Sequence, residues 1–279
     1  MKIFIIQFVV LFYSCASDKM ELGNTVTLDC VQRDPIGMIS EDLYQVGSVV
    51  PTDTHPSFTK KVNVCGITLI AGDEVSTSFM ENVAQTISEI FIVNESTDTL
   101  LQQTLLKNLY LYNTVIPLFY GEDWSETSLD GLMDENSVCD IIMEGVSDPV
   151  MEVVEHILHH LTDIGAHYTF PSDWGLASSS RLYDLTQEAI SLGYYDISSY
   201  SNISNIGIRN RVIIQEYAYW VIYTAWNLRK YYGPEQSEWS IVDGDELQSK
   251  LPRSYSLFME IIPSIMTCPS KQTLDLFLE

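Results

Sequence analysis

Residues 62–71 read VNVCGITLIA, a β-branched apolar run closed by Gly72-Asp73. This composition predicts one buried strand over Val62–Ala71. Downstream, Val75, Phe79, Val83, Ile87 and Ile90 recur at helical spacing and predict a helix over 75–92. Asn94–Thr97 is a loop. Leu101, Leu105, Leu109 and Tyr112 then mark a second helix over 100–112, and TVIPLFY at 114–120 is a second core strand in which Pro117 suits an edge. A strand, two helices and a returning strand imply a sheet with helices packed on it. Upstream, residues 17–61 contain Pro35, Pro51 and Pro56 and few periodic apolar positions, so they read as irregular.

The rest of the chain is more helical. Residues 121–149 form an acidic loop region around Trp124 and Cys139. A helix over Val150–Ile164 stops at Gly165, another over Arg181–Leu192 stops at Gly193, and the longest runs from Ile208 to Tyr232 before Gly233-Pro234. A weaker helix near 254–262 precedes a tail. The expected fold class is α/β (α+β), a small sheet with packed helices followed by a mainly helical C-terminal half. Residues 17–279 form one mixed domain, with no internal repeat.

Residues 1–16 read as a signal peptide. Lys2 gives the positive start, Ile3–Tyr13 is almost unbroken apolar, and Ser14-Cys15-Ala16 supplies small residues for cleavage. The apolar run is too short to span a bilayer, which takes about 20 residues, and no later segment is long and apolar enough. The expected localisation is therefore export to the periplasm or exterior, as a soluble protein or through a lipid on Cys15. Cys30, Cys65, Cys139 and Cys268 then remain. In an oxidising compartment they allow three pairings, and without a CxxC spacing they do not suggest a thiolate zinc site. Four buried free thiols are the plain alternative. A net charge of −24 excludes nucleic acid as a partner and disfavours anionic membranes. The stretch 108–180 carries 13 Asp and Glu and no Lys or Arg. A solvated acidic surface explains that most simply, and a bound cation would offset part of it.

The helix VMEVVEHILHHLTDI at 150–164 puts Val150, Val154, Ile157, Leu161 and Ile164 on one face. Glu152, Glu155, His156, His159 and Asp163 share the other, with His160 at its border. A solvated polar face would ordinarily carry Lys, Glu or Gln, whereas three of the five histidines fall here. Ligands one turn apart can grip a single ion. Neither register of HExxH is orthodox: Ile157 follows His156, and with Glu155 and His159 as ligands His156 takes the base position. Glu-x-x-His, as in di-iron bundles, is absent. Glu216 is the one carboxylate in VIIQEYAYWVIYTAWNL (212–228), which has no Lys, Arg or His. A buried carboxylate must be neutral, hydrogen-bonded or metal-bound, which makes Glu216 a candidate third ligand on a separate helix. His167 and His55 read as local and loop residues. The Asn94 and Asn202 sequons matter mainly in a eukaryotic host.

Together VNVCGITLIAGDEV, EHILHHLTDIGAHYTFP and QEYAYW resemble an uncharacterised family of exported marine-bacterial proteins that looks like a remote, degenerate zincin-type metallopeptidase. The resemblance spans roughly 55–230, with a zincin-like part to about 232. It implies roles for Glu155, His159, Thr162, Gly165, Glu216, Tyr217, Tyr219 and Trp220. His156 stands where the family has its Glu base. Two functions follow. In a zinc-dependent hydrolase or peptidase, Glu155, His159 and Glu216 hold the metal and His156 takes or relays the proton of its water. Alternatively, the chain is a non-catalytic exported binding protein with a degenerate or structural metal site.

Overall fold

The computed structural model describes Cys30 and residues 34–234 and 237–279. The leader and Cys15 lie outside the described residues. Five strands form one sheet in the order β1-β2-β3-β4-β5: β1 (Val50–His55), β2 (Phe58–Val64), β3 (Ile67–Ala71), β4 (Thr114–Tyr120) and β5 (Ile142–Glu144). The first three pair antiparallel, and β3, β4 and β5 run parallel. The helices are α1 (Thr77–Ile90), α2 (Thr99–Leu111), α3 (Leu132–Glu135), α4 (Pro149–His160), α5 (His167–Thr169), α6 (Arg181–Ser191), α7 (Ile206–Ala225), α8 (Leu228–Tyr232), α9 (Gly244–Lys250), α10 (Pro252–Ile265) and α11 (Lys271–Asp275). The protein is thus an α/β fold with a helical C-terminal half.

The run VNVCGITLIA is a hairpin, where one strand was expected. Val64 pairs with Ile67, and between them Cys65 and Gly66 have φ of 48° and 84°. Two consecutive positive-φ residues make the type I′ turn whose twist matches that of the flanking strands. Part of the segment expected to be irregular is therefore sheet: β2 begins at Phe58, and β1 forms the edge, where Pro51 is tolerated. His55 ends β1 and binds the carbonyl of Asp130 through Nε2 at 2.9 Å, so it is a strand residue.

From β3 the chain passes through α1 and α2 and returns in β4 beside β3, as the element order predicted. Pro117 lies inside the sheet, not at its edge. Val115 donates to the carbonyl of Ser137, so Pro117, two residues on, turns its ring toward the same side. There residues 138–141 leave the ladder before β5 begins, and no donor is needed.

Ile67, Leu69, Ala71, Ile116 and Leu118 face the main core, while Ile70, Val115 and Phe119 pack under Leu129 and Leu132 of the acidic segment. α4 crosses the main core between the sheet, α1 and α7. It does not stop at Gly165. A π-helical turn, Leu161–Ala166, carries it into α5. Gly165 serves close packing, because a Cβ there would sit 2.8 Å from Leu105 Cγ. The long helix expected to reach Tyr232 breaks at Asn227, whose φ of 62° an Asn side chain tolerates. The helix expected near 254–262 is α10, which buries Leu257, Phe258, Ile261, Ile262 and Ile265 against the core, and the expected tail folds as well, with α11 burying Leu274. Among the described residues no helix is long and apolar enough to cross a membrane.

Candidate metal centre

Every polar side chain of α4 and its π-turn is buried. Glu152, Glu155 and Asp163 are 2–3 % exposed, and His156, His159 and His160 are 0 % exposed. The solvated face is therefore excluded. Across from this face stand Glu216, 4 % exposed, on α7 and Asp140, 3 % exposed, in the segment before β5. Among the described residues no Lys or Arg is buried to balance these five carboxylates.

The three histidines have different states. His160 Nδ1–H donates to the carbonyl of His156 at 2.7 Å, and Nε2 accepts the backbone N–H of Cys139 at 3.1 Å. Burial pushes its pKa down to about 3, so the ring is neutral and joins α4 to the Cys139 segment. His156 is held at both ring nitrogens, Nδ1 by Asp140 Oδ2 at 3.0 Å and Nε2 by Glu152 Oε1 at 3.2 Å. Glu152 Oε1 also accepts from the backbone N–H of Met143.

His159 Nδ1 lies 2.9 Å from the same Asp140 oxygen. Its Nε2 is fully buried and makes no hydrogen bond, with Glu216 Oε2 3.4 Å away. Burial disfavours its charged form, but the carboxylates of Glu216 and Asp140 outweigh this and hold its pKa well above the usual range. Asp163, beside it, is pushed up to about 8 by burial, with Glu216 adding to the shift.

Two sets of three donors around His159 have ligating atoms within 4.8 Å of one another: Glu155, His159 and Glu216, and Asp140, His156 and His159. Buried His, Asp and Glu clusters able to hold a metal ion are thus present. Spacing separates their roles. A tetrahedral ion with bonds of about 2.0–2.1 Å sets neighbouring donors about 3.3–3.4 Å apart. His159 Nε2 and Glu216 Oε2 have that separation, whereas Asp140 stands at hydrogen-bond distance from both imidazoles. A carboxylate on Nδ1–H with Nε2 directed at a second donor is the arrangement that orients a metal-binding histidine, and an ion bound here would displace the proton that Nε2 turns toward Glu216.

The residues singled out by sequence thus fall at one place: Glu155, His159 and Glu216 converge, and His156 adjoins them. Thr162 Oγ1 donates to the Leu158 carbonyl, Tyr217 bonds Ser254, Trp220 Nε1 donates to Glu238, and the Tyr219 ring meets His159 edge-on at 5.9 Å. His167 is local, accepting the backbone N–H of Leu176 on Nδ1. Asp140 was missed. Its signal was in the sequence: VCDIIM at 138–143 holds one carboxylate among five apolar residues, the pattern that marked Glu216. No family model, no curated protein and no solved structure matches this chain.

Proposed function

We propose that this chain is an exported metal-binding protein in which Glu155, His159 and Glu216 hold one zinc ion. The observation that carries this is His159, with Nδ1 anchored on Asp140 and a buried Nε2 without a hydrogen bond facing Glu216. At 3.4 Å Glu216 gives this nitrogen an ionic partner but no good hydrogen bond, and a divalent ion between them would satisfy both while neutralising two carboxylates. Imidazole with carboxylate suits zinc. The leader-like N-terminus and a disulfide between Cys30 and Cys139 support export.

The centre is closed and non-catalytic in this proposal. All three ligands are at most 4 % exposed, and His156 is engaged at both nitrogens, which leaves it poorly placed to take a proton. Hydrolysis remains the second proposal because three protein ligands leave a fourth position for water. The likeness to a zincin-type family would then be one of ligand set, with His156 replacing the base. Metal analysis of protein purified without chelator tests the first proposal. About one zinc per chain is expected, and metal-free protein after zinc loading would end it. Peptide cleavage by the zinc-loaded wild type, lost in Glu216→Gln, would select the hydrolase.

A further inference from the structure

One buried carboxylate of the central helix has no role in that centre. Asp163 sits one turn beyond His159, is 2 % exposed, and among the described residues accepts one long hydrogen bond, 3.4 Å, from Thr162 Oγ1. Against it lie two sulfurs. The Sγ atoms of Cys30 and Cys139 and a carboxylate oxygen of Asp163 are all within 4.8 Å of one another, and all three residues are buried. Joined as a disulfide, the sulfurs offer no anion to a cation.

We propose that reduction of the Cys30–Cys139 disulfide creates a second metal site, with Cys30, Cys139 and Asp163 as its ligands, for a thiophilic divalent ion of the zinc type. A dithiol supplies two electrons and two protons as its own S–S bond forms. The Cys30–Cys139 bond breaks and leaves two thiols. Metal binding then releases both thiol protons, and the proton that burial favours on the Asp163 carboxyl, to solvent and leaves two thiolates and the Asp163 carboxylate on the ion.

Two of the three ligands are in place beforehand. Cys139 is fixed independently of its sulfur by its N–H to His160 Nε2, and Asp163 is fixed on the π-helical turn. A tetrahedral ion with Zn–S bonds of about 2.3 Å sets its sulfurs about 3.8 Å apart. Side-chain rotation reaches that spacing from a Cα–Cα separation of 5.0 Å. An ion here also compensates a buried acid that, among the described residues, has no Lys or Arg partner. The other cysteines do not compete: burial pushes the thiols of Cys65 and Cys268 up to about 12.

The test is cobalt(II) titration of Cys65→Ser/Cys268→Ser protein, disulfide-bonded and after anaerobic reduction with a phosphine, which leaves as its oxide with oxygen from water. The reduced protein should bind one equivalent more than the oxidised protein. It should also gain a thiolate-to-cobalt charge-transfer band that zinc abolishes. Asp163→Asn keeps both thiols and should weaken this binding at least tenfold. No added equivalent or no band in the reduced protein overturns the proposal. So does a band of equal affinity in Asp163→Asn or in guanidinium-unfolded chain, because free thiols then suffice. Circular dichroism that shows unfolding on reduction with zinc present overturns it as well. Oxidised protein that binds no cobalt counts against the Glu155–His159–Glu216 centre alone and leaves this comparison intact.

Discussion

Replacing Asp140 with Asn changes one oxygen of a carboxylate that serves three donors. Oδ2 faces Nδ1 of both His156 and His159, at 3.0 and 2.9 Å, and Oδ1 accepts the backbone N–H of Ile141 at 2.8 Å. An Asn side chain has a single oxygen, so it can serve the histidines or Ile141. Facing the histidines is the cheaper choice, and it leaves the Ile141 N–H against an NH2 group. That costs about 1–3 kcal/mol of stability. Each histidine bond survives but loses its ionic partner, a weakening of about 1 kcal/mol per bond. Through His159 alone this lowers zinc affinity about 5-fold, and about 30-fold if His156 is coupled to the same site, at 1.4 kcal/mol per tenfold. Competition with a chromophoric chelator measures the affinity, and urea denaturation measures the stability. The stoichiometry should stay at one. Affinity within about twofold of wild type would refute an orienting role for Asp140. Complete loss of binding would refute it differently, by making Asp140, His156 and His159 the cage.

His159→Ala and Glu216→Gln should each abolish zinc retention, while His160→Ala should keep it and lose about 1–3 kcal/mol in denaturant titration, because the Cys139 N–H is left buried and unpaired. Thiol counting on unreduced, denatured mature protein should find two free thiols, Cys65 and Cys268. In native protein their alkylation should stay slow at pH 8 and rise tenfold per pH unit toward about 12, since only the thiolate reacts; fast reaction at pH 8 would contradict their burial. Gly165→Ala, whose Cβ meets Leu105 at 2.8 Å, should destabilise by about 1–3 kcal/mol, read from the urea midpoint.

Periodicity made the helices and the β3–α1–α2–β4 order legible, because one face of each element packs on a common core and the apolar spacing records it. What escaped were features set by partners distant in sequence. Cys65-Gly66 reads as two more small residues in an apolar run until their backbone turns. Gly165 looks like a stop, and only the proximity of Leu105 shows it to be a contact. Pro117 is admitted to an interior strand by a gap in the neighbouring ladder. At the centre, Glu155, His159 and Glu216 stood out as charges in apolar or unbalanced surroundings. Asp140 carried the same signal but sat among so many exposed acids that its burial did not show. The pairing of Cys30 with Cys139, one of three possibilities, depends on how the segment before β5 lies against α4.

Donors to the central cluster come from α4 and α7, and Glu216 lies 57 positions after His159. A chain folded only as far as α4 would have His159 anchored on Asp140 and its other nitrogen facing an empty berth. Closure of the cage would wait for α7 to dock, a contact 57 positions away in sequence across α5 and α6 whose closure entropy opposes it. If the cluster holds an ion as proposed, its capture would be a late event in assembly and would act as a checkpoint. Under that proposal, chains that have completed the last long-range docking would hold the ion, and those in which α7 has loosened would release it while most of the sheet is still intact.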